Sequence, residues 1–305
     1  SDGFVAFYSA IDGGQHLTLQ TTSASFQADI GAQEPLGALT VDSACLTIGV
    51  SCSQIKAGSI AISPNVTLQS DLAVTATAAD LRFAGSILPS AGGKESLLLD
   101  AVGVVAIGDV GSPKLPLRTF AIGRGTYANI RQGVYAEDIE VDIPTILDGN
   151  TTFEATKGSL HFNAPIDGDH ALHLRATDAV FVNGAIGRIS PVSSLDISAS
   201  KLFLESELNT NNGLVLIKAP TFIHGAASIN AGGIGQAIHF YNSIEGTGTL
   251  TLDAGTSPHS TITLQQEVRG LETFIIHSAS AVRAESAISA GTIEQTYVSG
   301  SAHYC

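Results

Sequence analysis

Three groups of residues have the types and spacing from which catalysis, metal binding or cross-linking is built. The run Glu137-Asp138-Ile139-Glu140-Val141-Asp142 alternates so that Asp138, Glu140 and Asp142 share one face of a strand. Carboxylates so placed suit cation binding or glycoside hydrolysis, and the latter needs two of them roughly 5 to 10 Å apart. Asp167-Gly168-Asp169-His170, with His161 and His173 nearby in the chain, carries the ligand types of a metal site. Cys45 and Cys52 are seven positions apart, with Gly49 between them to supply a bend. They are expected to close a small loop as a disulfide in an oxidising compartment. Cys305 is then the odd thiol, available for an intermolecular link.

The first two groups have plainer readings that the rest of the sequence favours. Asp and Gly are turn residues for backbone reasons, and the matching turns Asp12-Gly13 and Glu245-Gly246 lack the histidine. Other carboxylates, such as Asp29, Asp42, Asp100, Asp109 and Asp196, stand singly. There is no Asp-Asp pair, Gly-His-Gly or Arg-x-Lys of the sort found in pectin-degrading β-helix enzymes, and no Gly-x-Ser-x-Gly elbow. Gly232-Gly233-Ile234-Gly235 lacks the lysine and strand-to-helix context of a phosphate loop. The sequons at Asn65 and Asn150 read as chance. The expectation is a protein that is not an enzyme, with no catalytic residue, no metal and no cofactor.

The elements that position these residues follow from an internal repeat. Val5, Phe7, Ile11, Gly13, Leu17 and Leu19 return as Leu160, Phe162, Ile166, Gly168, Leu172 and Leu174, and as Ile238, Phe240, Ile244, Gly246, Leu250 and Leu252. Leu81, Phe83, Ile87, Leu97 and Leu99 fit with a longer turn. The copies start at 5, 81, 160 and 238, a super-repeat of about 78 residues. A second marker starts at Ala24, Val104, Val180 and Ile262, and a third is the proline at Pro64, Pro144 and Pro220. Within each super-repeat lie units of roughly 20 residues that alternate apolar and polar positions and break at Gly, Asp, Asn, Ser and Pro. That pattern describes short strands and tight turns without helices.

Such units cannot bury an apolar face alone, so they are expected to stack as a right-handed parallel β-helix of about 15 coils, a rod about 70 Å long. One domain covers residues 1–305, with super-repeats near 1–78, 79–157, 158–235 and 236–305. A set of β-sandwich repeats is the alternative, weakened by the absence of Trp. Between the first two apolar residues of each copy, the outward position reads Ala6, Arg82, His161 and His239, so the scaffold repeats and the surface does not.

Composition narrows the partners. The 305 residues hold 14 Lys plus Arg against 28 Asp plus Glu, a net charge of -14, with no basic cluster, which argues against nucleic acid. Hydrophobic residues at 44% and charged residues at 14% argue against disorder, and no apolar run approaches the roughly 20 residues of a membrane-spanning helix. A chain that starts at Ser1 and contains no Met reads as a processed product or a piece of something longer. The incomplete fourth super-repeat suggests continuation of the rod or end-to-end self-association.

Phe26 to Ser43, Val180 to Ala199 and Leu250-Thr251-Leu252-Asp253-Ala254-Gly255 resemble the repeats of large bacterial exoproteins, namely filamentous-haemagglutinin-like two-partner secretion proteins and autotransporter passengers. The resemblance implies a secreted or cell-surface adhesin that binds glycans or proteins of a host or neighbouring cell along its flank. A self-assembling extracellular filament subunit is the alternative, and a polysaccharide-degrading enzyme the second alternative. Neither an Asn-Pro-Asn-Leu secretion signature nor a C-terminal barrel pattern is present in the chain.

Overall fold

Apolar residues at every second position, interrupted every few residues by turn formers, leave the chain one way to bury its greasy side: fold each unit into a coil and cover it with the next. The computed structural model, which describes residues 3–232, 236–298 and 302–303, does this, with no helix among those residues. Its strand ladders are parallel and join residues about one coil apart, giving a β-solenoid of about 14 turns. A sandwich would pair its strands antiparallel, so that alternative falls.

The chain divides into two units, residues 1–148 with 153–156 and residues 149–152 with 157–305. In the first, one side is built from Phe4–Phe7, Ser23–Phe26, Cys45–Ile48, Asn65–Leu68 and Ile87–Pro89. A second side holds Gln54–Ala57, Leu72–Ala76, Ser96–Ala101 and Leu117–Arg124. The third runs from His16–Gln20 through Ala38–Asp42, Ile60–Ile62, Leu81–Phe83 and Val104–Ile107 to Tyr127–Ile130. The second unit repeats the scheme. One of its sides contains Leu160–Phe162, Ala179–Val182, Lys201–Leu204, Thr221–Ile223 and Ile244–Gly246.

Side chains stack in columns with steps of 21 to 24 residues: Leu17, Leu39, Ile60, Leu81 and Val105 are successive partners. From Leu39 onward these are at most 1% exposed, as are Phe26, Phe120, Phe162, Phe240 and Phe274 elsewhere in the core. A coil of that length, longer than 20 residues, accounts for about 14 turns where 15 were expected. Val5, Phe7, Ile11 and Leu17 are half-exposed, whereas Ala24, Phe26, Ile30 and Leu39 one coil later are buried.

The 78-residue super-repeat does not stack copy upon copy. In the first unit Val5 pairs with Ala24 on the first side, while its copy Leu81 lies on the third, between Ile60 and Val105. In the second unit Leu160 pairs with Val180, while its copy Ile238 pairs with Val215 and Ile262 on a different side. Pro64 precedes a strand of the first side and Pro144 one of the third. The period spans a whole number of three-sided coils plus a fraction of one, so within each unit the second copy starts on a different side from the first. This is tolerable because the motif, strand then corner then strand, fits any of the three. Its glycine takes the same left-handed turn wherever it lands, with φ of 121° at Gly13, 136° at Gly168 and 154° at Gly246.

One local expectation is overturned. The second marker starts at Val104 as an apolar, inward position, yet in Val104–Ile107 the inward residues are Val105 and Ile107, at 0% and 3% exposure. The apolar run from Val102 to Ile107 hides its own parity, and a slip of one residue reverses every side chain. Cys45 and Cys52 are free thiols, the first exposed and the second buried. Cys45 opens the strand Cys45–Ile48 facing outward, and Cys52 follows in the turn after Ile48, where its amide donates to the Gly49 carbonyl at 3.1 Å. Cys305 lies outside the described residues, as do 233–235 of the glycine-rich stretch.

Candidate functional site

Several of the scattered aspartates share a task at the corners. Asp12 Oδ1 accepts the backbone N–H of Gln33 at 2.8 Å and of Glu34 at 3.4 Å. Asp167 Oδ1 does the same for Ile189 at 2.8 Å and Ser190 at 3.0 Å. Asp29 takes Ser53 and Gln54, Asp71 takes Ser96, Asp80 takes Val104 and Asp109 takes Gly133. Each ties one coil to the next by satisfying an amide that a turn would leave unpaired. Asn65 and Asn150 of the sequons act likewise, on Ser86 and Ala171 at 3.0 Å each. For Asp29, burial pushes the carboxyl pKa up, but hydrogen bonds from the Gln54 side chain and from Ser53 and Gln54 amides outweigh it, and the net direction is down. Asp80 is lowered chiefly by the Arg82 guanidinium, then by the Val104 amide.

The other sequence candidates separate in space. Asp138, Glu140 and Asp142 are exposed on one face, alternating with buried Ile139 and Val141, and the strand beside them offers Thr119 and Ala121 opposite Asp138 and Glu140. Asp167 is a corner residue, His161 stacks on Phe181, and His173 on another side has its Nδ1 4.0 Å from Asp196. Asp196 also accepts Lys218 Nζ at 2.9 Å. Among the described residues no cluster of three or more His, Cys, Asp or Glu is placed to hold a metal ion. Burial raises the Cys52 thiol, with Asp29 adding to it, to about 12, so it is no nucleophile. His239, the outward residue of the fourth copy, stacks on Tyr241 at 3.9 Å; burial lowers its pKa and Glu285 partly opposes this.

What sequence reasoning missed is a ladder of rings on the outside. On the side of the second unit that carries Leu160–Phe162, successive outward positions are His161, Phe181, Phe203, Phe222, Glu245 and Arg269. The four rings stack with centroids 4.3, 4.7 and 5.2 Å apart and interplanar angles of 11°, 6° and 23°. These spacings match the roughly 4.8 Å between strands, so the solenoid itself presents them in register. Beyond Phe222 the ladder changes character: Arg269 Nη2 donates to Glu245 at 2.6 Å, and Arg269 Nη1 forms an ion pair with Glu267 at 2.8 Å. Flanking inward residues explain the oversight, because Val180-Phe181-Val182 and Leu202-Phe203-Leu204 read as unbroken apolar runs. The signal was the recurrence of a central Phe at 181, 203 and 222, one coil apart.

The first unit has a smaller feature, a groove of about 210 Å³ whose lining includes Arg82, Ala106, Asn129, Arg131 and Asp148. Arg82 donates to Asp80 at 2.9 Å and Arg131 to Asp148 at 3.0 Å. Both surfaces set polar and charged side chains on neighbouring strands, and that of the second unit adds a row of stacked rings. Comparison with protein-family models, curated proteins and solved structures finds no match to the chain, which stands on its fold as a β-solenoid repeat protein.

Proposed function

We propose that this chain is a non-enzymatic extracellular β-solenoid that binds glycans or proteins along its flank, an adhesive segment displayed at a bacterial surface. The supporting observation is the contrast between two uses of side chains: a set of aspartates ties the corners together, while rings and ion pairs project from the strand faces. A repeat scaffold of this kind gives an extended surface whose outward residues vary freely over a fixed core. The likeness of its repeats to filamentous-haemagglutinin-like and autotransporter-passenger proteins agrees with an adhesin role and with export.

The test has two arms. Incubation with a panel of acidic and neutral polysaccharides is expected to release no reducing ends, while the same protein binds cells or immobilised glycans saturably. Turnover that disappears in the triple variant D138N/E140Q/D142N would replace this reading with an enzymatic one. Protease or antibody access on intact producing cells checks display, and a protein found only inside them contradicts it.

A further inference from the structure

The aromatic ladder ends in an open place. Phe222 is covered on one face by Phe203, and the next rung is Glu245, whose carboxylate is drawn toward Arg269 and accepts the Ser243 hydroxyl at 3.3 Å. Around that end lies a groove of about 390 Å³ lined by Phe222, His224, Glu245, Gly246, Arg269 and Gly270, within the roughly 300–1,000 Å³ range of small-molecule sites. Gly246 and Gly270 put no side chain into it. A second groove, of about 440 Å³, shares Glu245 and Arg269 and is walled by Asn242, Ser243, Gln266 and Ser286. An apolar shelf thus adjoins a polar trough, and one Glu–Arg pair borders both.

We propose that these two grooves bind a neutral oligosaccharide, one pyranose ring lying on Phe222 and its neighbour in the trough. The proposal rests on the flank-binding reading and narrows it to a site and a ligand class. An aromatic face is electron-rich and attracts the C–H face of a sugar ring, which is apolar and slightly positive. Each sugar hydroxyl both donates and accepts, and the Glu245–Arg269 pair sets an acceptor beside a donor, with amide and hydroxyl groups continuing the pattern across the trough. Charge decides against acidic sugars. Arg269 is already matched by two carboxylates, Glu245 and Glu267, and the chain carries a net charge of -14, so a uronate would meet repulsion locally and at long range.

The experiment presents the protein to immobilised tri- and tetrasaccharides of the glucose, galactose, mannose and N-acetylglucosamine series, with oligogalacturonates as the acidic set. The best neutral binder is then titrated against F222A, F222Y and R269A, each checked for an unchanged circular dichroism spectrum. Loss of one stacking ring is expected to weaken binding about tenfold or more, F222Y to retain it, and R269A, an exposed change, to weaken it without disturbing the fold. Binding undiminished in both F222A and R269A, preference for the galacturonates, or no neutral ligand at all overturns the proposal. In the first of these outcomes glycan binding elsewhere on the flank survives. Loss of all glycan and cell binding by the unaltered protein would remove the broader reading as well.

Discussion

Replacing Ile244 by alanine tests the inward and outward assignment of the whole solenoid. Ile244 is 1% exposed, stacked between Thr221 in the preceding coil and Val268 in the following one. Alanine removes three carbons, worth roughly 0.8 kcal/mol each in transfer, and a rigid column leaves a cavity that adds about 1 kcal/mol, so the expected loss is about 3 to 4 kcal/mol. In a unit of this length that lowers the melting temperature by about 10 °C. The comparison is His239→Ala in the neighbouring strand. His239 stacks on Tyr241 at 3.9 Å, but its Nε2 is buried with no hydrogen-bond partner. Losing the stack costs about 0.5–1 kcal/mol, and losing an unsatisfied nitrogen offsets part of it. Thermal melts and urea midpoints followed by circular dichroism should separate the two variants clearly. Equal shifts would refute the assignment of faces on which the columns and the external ladder both depend.

Acid should weaken the corners: the Asp29 carboxyl is lowered from its ordinary 3.8 in the folded chain, so its stabilisation is present above that pH and lost as pH falls below it. Urea titrations of the protein and of Asp29→Ala should therefore differ at pH 6 and converge toward pH 2, and a constant gap would contradict the role. Gly187→Ala puts a methyl carbon 2.2 Å from the Asn209 carbonyl at a φ of 70°; a loss of about 2 kcal/mol or more in the urea midpoint is expected, and no loss would mean the corner is drawn wrongly. Thiol labelling followed by peptide mapping should find Cys45 modified and Cys52 protected in the native protein. Recovery of a Cys45–Cys52 cross-linked peptide would show the opposite.

Much of the core was legible because burial and period reinforce each other. Leu160, Phe162, Ile166, Leu172 and Leu174 were named from pattern alone and are all at most 1% exposed. Parity failed where the pattern is degenerate, at Val102 to Ile107, since an unbroken apolar run fits either face. The side on which each copy lies was hidden for a different reason. A 78-residue period states how far apart similar segments are, whereas stacking depends on the coil length, which only the pairing of Leu39 with Ile60 and of Ile60 with Leu81 reveals. Corner aspartates such as Asp12 and Asp167 were recognised as turn residues, but their hydrogen bonds to amides 21 to 23 positions away need the coil in three dimensions. The ring ladder has the same origin: three phenylalanines about twenty residues apart become neighbours only after winding.

Methyl–methyl nuclear Overhauser contacts in protein labelled at Ile, Leu and Val address the winding itself. The account predicts cross-peaks from Leu81 to Ile60 and to Val105, its partners one coil to either side, and none from Leu81 to Val5. Contacts between Leu81 and Val5, with silence toward Ile60, would contradict it.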